Sequence, residues 1–100
     1  KEVMIEIIED TVHNTVYLID ADFINVSINN ITSRCWVLVY QDGNQVFEGI
    51  LNAGEKKSWK AENDVNIRIG NPVAVNLTVN DKDLGSLTGE ARNFIFKKRI

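Results

Sequence analysis

Cys35-Trp36-Val37-Leu38-Val39-Tyr40-Gln41-Asp42-Gly43-Asn44-Gln45-Val46-Phe47-Glu48-Gly49 reads as strand, tight turn, strand. Side chains alternate along a strand, so Cys35, Val37 and Val39 share one face and Trp36, Leu38 and Tyr40 the other. Asp42-Gly43 supplies two residues that tolerate positive φ, as a two-residue hairpin turn requires. Beyond the turn, Phe47, Gly49 and Leu51 point inward. A strand apolar on both faces is either central and covered on both sides, or it exposes an aromatic stripe.

The same pattern extends in both directions. Towards the N-terminus, Val3, Ile5 and Ile7 alternate with other positions, the turn-like run 9–14 follows, and Thr15-Val16-Tyr17-Leu18-Ile19 returns. Asp20-Ala21-Asp22 breaks this first hairpin. Ile24, Val26 and Ile28 then alternate with Asn25 and Ser27, as in a half-solvated antiparallel strand, and Asn29-Asn30 marks a turn. Towards the C-terminus, Ala53-Gly54-Glu55 turns the chain into a strand on which Lys57 and Trp59 share a face. Val65, Ile67 and Ile69 alternate with Asn66 and Arg68, and Gly70-Asn71-Pro72 interrupts. Val73, Val75, Leu77 and Val79 are expected to face inward. The run 80–85 reads as a hairpin turn, Phe94-Ile95-Phe96 as the closing strand, and Lys97-Lys98-Arg99 as a solvated basic tail.

No segment keeps a helical period. About eight or nine short strands, with turn signals every 8–12 residues or so, predict an all-β, antiparallel two-sheet β-sandwich. The expected organisation is a single domain over residues 1–100, with an N-terminal hairpin at about 3–19 and a main sandwich at about 23–97. One hundred residues with 44% hydrophobic and 25% charged composition suit one folded core.

The net charge of −3 argues against nucleic acid, which calls for a basic excess on one face. With a single cysteine, Cys35, no intrachain disulfide can form, and its position on the strand suits a small buried hydrophobe. No apolar run reaches the length of about 18 residues needed to span a bilayer. The chain opens at Lys1, so an excised fragment is expected, with any anchor in a segment upstream.

Catalysis requires convergent polar groups, and few are in view. The one histidine, His13, falls in a turn. A zinc site needs three or four ligands, which one Cys and one His do not make. The Gly-x-Ser-x-Gly elbow is missing, and the glycines are spread one to a turn, which leaves no phosphate loop. The acidic pairs Glu9/Asp10, Asp20/Asp22 and Asp81/Asp83 sit where Asp is favoured for backbone reasons, and none has EF-hand spacing. Three sequons, at Asn25, Asn30 and Asn76, read as Asn and Thr on strand faces. No catalytic residue, cofactor or metal is therefore expected.

The feature with binding potential is Trp36, Leu38 and Tyr40, about 7 Å apart along one strand face. Exposed, they make a candidate interaction surface for a protein partner or a sugar ring. Buried, they are core beneath the N-terminal hairpin with its Ile5, Ile7 and Tyr17.

Over about residues 3–97 the chain resembles the extracytoplasmic C-terminal domain of the bacterial cell-shape family RodZ. The resemblance is carried by Cys35-Trp36-Val37-Leu38-Val39 running into Asp42-Gly43, then Val46-Phe47-Glu48-Gly49 and Ala53-Gly54-Glu55. Ile67-Arg68-Ile69-Gly70-Asn71, and Leu77-Thr78-Val79-Asn80 followed by Gly85, complete it. The Tyr17-bearing hairpin resembles the Gram-positive version. The family often has Asn-Gly in the late hairpin, where this chain has Asn80-Asp81.

The resemblance implies a larger membrane protein. A cytoplasmic helix-turn-helix domain binds the actin-like protein MreB, one transmembrane helix follows, and this domain lies outside the cell membrane. It implies a non-enzymatic role in rod shape, coupling the MreB cytoskeleton to cell-wall synthesis. The partners it implies for this domain are wall-synthesis membrane proteins or peptidoglycan. MreB would be reached only through the cytoplasmic domain. The rival reading is a carbohydrate-binding module that stacks cell-wall glycan on Trp36 and Tyr40, with Asn25, Asn66 or Asn76 as hydrogen-bond donors.

Overall fold

The computed structural model describes residues 4–30 and 32–99; Val3 and Ile31 lie outside them. The strands are β1 (Met4–Asp10), β2 (Asn14–Asp20), β3 (Ile24–Asn30), β4 (Cys35–Gln41) and β5 (Asn44–Leu51). They continue as β6 (Lys56–Ala61), β7 (Asp64–Ile69), β8 (Val75–Val79), β9 (Lys82–Ser86) and β10 (Arg92–Lys98). They form a six-stranded sheet, β1-β2-β10-β7-β4-β5, and a four-stranded sheet, β6-β3-β8-β9. The predicted all-β, two-sheet sandwich is the fold observed. All pairings are antiparallel except β2 with β10, which run parallel.

The inward positions set by alternation fill the space between the sheets. Val37, Val39, Val65, Ile67, Ile69, Phe94 and Phe96 from one sheet meet Ile24, Val26, Ile28, Val75, Leu77 and Val79 from the other, all fully buried. Tyr17 enters this core and stacks on Phe96, with ring centroids 4.8 Å apart and planes 6° from parallel. At the β5–β6 margin Phe47 and Trp59 meet at 5.8 Å, and the Lys57 ammonium lies over the Phe47 ring.

Two hairpin turns carry left-handed backbone at both central residues: Asp42-Gly43 at φ 50° and 85°, and Asn80-Asp81 at 48° and 69°. This geometry matches the twist of the flanking strands. Asp42 also ties two turns together. Its carboxylate accepts the backbone N–H groups of Glu62, Asn63 and Asp64 at 3.1, 2.9 and 3.0 Å. Asn80 plays a comparable part, accepting from Asn25 N through Oδ1 and donating to Phe23 O through Nδ2.

Those three N–H bonds favour the charged carboxylate and hold the Asp42 pKa below its ordinary value, with the Asp64 N–H the largest influence. A carboxylate whose folded pKa is depressed stabilises fully above the unfolded value of about 3.9. That stabilisation is lost as pH falls through the folded value. Acidification below about pH 4 is therefore expected to narrow the stability gap between the wild type and Asp42→Asn. Urea midpoints measured at pH 6 and pH 3 check this, and a gap that widens at pH 3 contradicts it.

Three expectations from the sequence are corrected. Lys97-Lys98-Arg99 is no solvated tail: Lys97 and Lys98 belong to β10, and the Arg99 N–H donates to Ile19 O at 2.9 Å while its side chain pairs with Glu6. Val73 does not face inward with Val75, Leu77 and Val79. It lies in a 3-10 turn, Pro72–Ala74, and is 59% exposed. Pro72 fixes φ at the head of that turn, and the Ala74 N–H closes it on Asn71 O at 3.1 Å. The run 80–85 is more than a turn: β9 leaves Asp81 and pairs back along β8, a tenth strand.

Candidate interaction surface

Val37 and Val39 on β4 are buried against the four-stranded sheet, so Trp36, Leu38 and Tyr40 stand on the outer face of the six-stranded sheet. Trp36 and Leu38 are half-buried, and Tyr40 is 36% exposed. The N-terminal hairpin does not cover them. It lies in the same sheet, with β10 and β7 between β2 and β4. Tyr17 points into the core on the opposite face, and Ile5 packs against that core.

Cross-strand register supplies the neighbours. Trp36 sits opposite Ile50 of β5, and Leu38 lies between Glu48 of β5 and Arg68 of β7. Tyr40 lies between Gln45 and Asn66. Ile50 is 52% exposed and extends the apolar stripe onto the edge strand. Gly70 makes room for the indole. Its N–H donates to Trp36 O at 2.9 Å, and a Cβ placed there would come within 3.3 Å of that oxygen and 3.8 Å of the ring.

The result is an aromatic and aliphatic stripe of four side chains, with one guanidinium and one carboxylate on either side of its centre. Large apolar groups supply area, and the flanking charges restrict orientation, the usual division of labour at protein–protein contacts. Ile50, Glu48 and Arg68 were not among the residues singled out from sequence. Alternation after the Asp42-Gly43 turn does place Glu48 and Ile50 opposite Phe47, Gly49 and Leu51, so their signal was present.

The amides proposed for sugar binding are split between faces. Asn66 lies beside Tyr40, whereas Asn25 and Asn76 alternate with buried Ile24, Val26, Val75 and Leu77 and so face outward on the four-stranded sheet.

Other chemistry-bearing residues are engaged in structure. Burial pushes the Cys35 thiol upward, although the Asn71 N–H donates to its Sγ at 3.4 Å. His13 is exposed in the β1–β2 turn, where Thr11 Oγ1 accepts from the His13 and Asn14 N–H groups. A shallow depression is lined by residues 10–12, 88–90 and Arg92. The Arg92 guanidinium there donates to Thr15 Oγ1, Thr88 O and Glu90 O and lies over the Phe94 ring. Among the described residues no three His, Cys, Asp or Glu side chains are grouped to hold a metal ion, and no helix is long and apolar enough to cross a membrane.

The family model for the RodZ C-terminal domain matches residues 30–94. The match runs from the last residue of β3 into β10 and contains the whole of the stripe; β1 and β2 lie outside it. Comparisons with curated proteins and with solved structures give no match.

Proposed function

Because the chain belongs to the RodZ C-terminal domain family, we propose that it is the extracytoplasmic, non-enzymatic docking domain of a RodZ-like membrane protein. In this reading it serves cell shape by holding wall-synthesis membrane proteins in register with the MreB cytoskeleton, which the cytoplasmic part of the protein engages. Family membership carries the cell-shape role. The half-exposed stripe of Trp36, Leu38, Tyr40 and Ile50 supports docking as the means.

Removing a hot-spot aromatic from such a surface costs about 2 kcal/mol, roughly thirtyfold in affinity. Trp36→Ala with Tyr40→Ala, placed in the full-length protein, is expected to give rounded cells at normal protein abundance. Cells that remain rods at normal abundance overturn the docking reading.

A second reading rests on Asn66, the cross-strand register partner of Tyr40 on the outer face. Stacking with a hydrogen bond at its rim would suit a glycan strand. Protection of Trp36 fluorescence by soluble wall glycan in a Trp59→Phe background, lost on Asn66→Ala, would favour that reading over protein docking.

A further inference from the structure

Charge is segregated along this chain. Residues 4–22 hold five carboxylates, Glu6, Glu9, Asp10, Asp20 and Asp22, and no lysine or arginine. Three of them lie on β1, an edge of the six-stranded sheet. That strand is also apolar in the open, with Ile7 56% and Ile8 51% exposed. An exposed apolar edge is a template for a further strand.

The other edges differ. β9 is five residues long and carries left-handed Gly85, and β5 carries a single charge, Glu48; register shifts occur on β9, β5 and β1 alike, on β1 between Ile7 and Glu9. β6, an edge of the four-stranded sheet, carries Lys56, Lys57 and Lys60 within six residues and no carboxylate. Like charges exclude β1 from pairing with β1, and β6 from pairing with β6. Opposite charges select β1 against β6.

We propose that the acidic edge β1 of one copy takes the basic edge β6 of a second copy by strand addition. The contact is heterologous, because different surfaces meet, so it builds head-to-tail chains of copies rather than closed two-fold dimers. Glu6 is already paired with Arg99, so Glu9 and Asp10 of β1 steer and register the lysines of β6, while Ile7 and Ile8 lose exposed apolar area.

Sedimentation equilibrium of the purified chain tests this. At about 10 mM salt, where screening acts beyond about 30 Å, the weight-average mass is expected to rise with concentration above the 11.3 kDa monomer. At about 1 M salt it should return to the monomer. Glu9→Lys alone, and Lys56→Glu with Lys60→Glu alone, should each lower the association constant by at least about tenfold. An equimolar mixture of the two should associate as a 1:1 pair, because the unaltered acidic β1 of one variant meets the unaltered basic β6 of the other. A monomer at every concentration in low salt overturns the proposal. So does association that both variants leave unchanged, or a mixture no better than its components.

Discussion

Phe96→Ala is expected to destabilise the fold by about 3–5 kcal/mol, the usual cost of emptying a fully buried phenylalanine site. Phe96 has no solvent exposure, stacks on Tyr17 and pairs in register with Tyr17 on one side and Val65 on the other. It therefore joins the N-terminal hairpin to the main sandwich. β2 meets the rest of the six-stranded sheet through β10, and Tyr17 against Phe96 is its aromatic contact there. A domain of this size has only about 5–15 kcal/mol in hand. The urea midpoint should fall by at least about 1 M. Ile95→Ala, one residue away on the outer face and half-buried, should cost distinctly less. Equal losses at 95 and 96 would contradict the assignment of faces.

Ile28→Ala is expected to cost about 2–5 kcal/mol. β3 is flanked on both sides, with Ile28 opposite Lys57 of β6 and Leu77 of β8, and its side chain is fully buried between the sheets. The cavity left there cannot collapse without moving two neighbouring strands. Val73→Ala should stay within about 0.5 kcal/mol, because Val73 is exposed in the 3-10 turn. The pair discriminates the structure from a simple extension of the valine alternation, under which both changes would be costly. Chemical denaturation of the two variants measures the contrast directly.

That contrast shows where sequence patterning succeeds and where it stops. Val65, Ile67 and Ile69 were readable as core because each alternates with polar Asn66 and Arg68, and burial of one sheet face enforces that period; on β4, apolar on both faces, alternation alone did not say which face was core. The Asp42-Gly43 turn was readable because few residue pairs accept positive φ twice in succession. β9 escaped because its one large apolar residue is Leu84 and its Gly85 is left-handed, at φ 78°, so no period of two develops. It forms because Asn80 and Asp81 adopt the same left-handed turn and return the chain along β8.

The parallel pairing of β2 with β10 escaped for another reason. Its residues, Val16 and Ile95 for instance, are far apart in the chain, and local alternation specifies a strand's faces but not its distant neighbour. The surface was half legible on the same grounds. Trp36, Leu38 and Tyr40 share a face by geometry. Whether that face was covered depended on where the hairpin docked, and it joined the same sheet, alongside β10.

The most direct test of the account compares the two outer faces in cells. In the full-length protein, Leu38→Lys puts a charge into the stripe on the six-stranded sheet. Ser27→Lys puts the same charge on the outer face of the four-stranded sheet, where Ser27 lies between Ser58 and Thr78. With both proteins present at wild-type abundance, loss of rod shape is predicted for Leu38→Lys and retention for Ser27→Lys. Rods with Leu38→Lys, or rounding with Ser27→Lys alone, would contradict the stripe as the working surface.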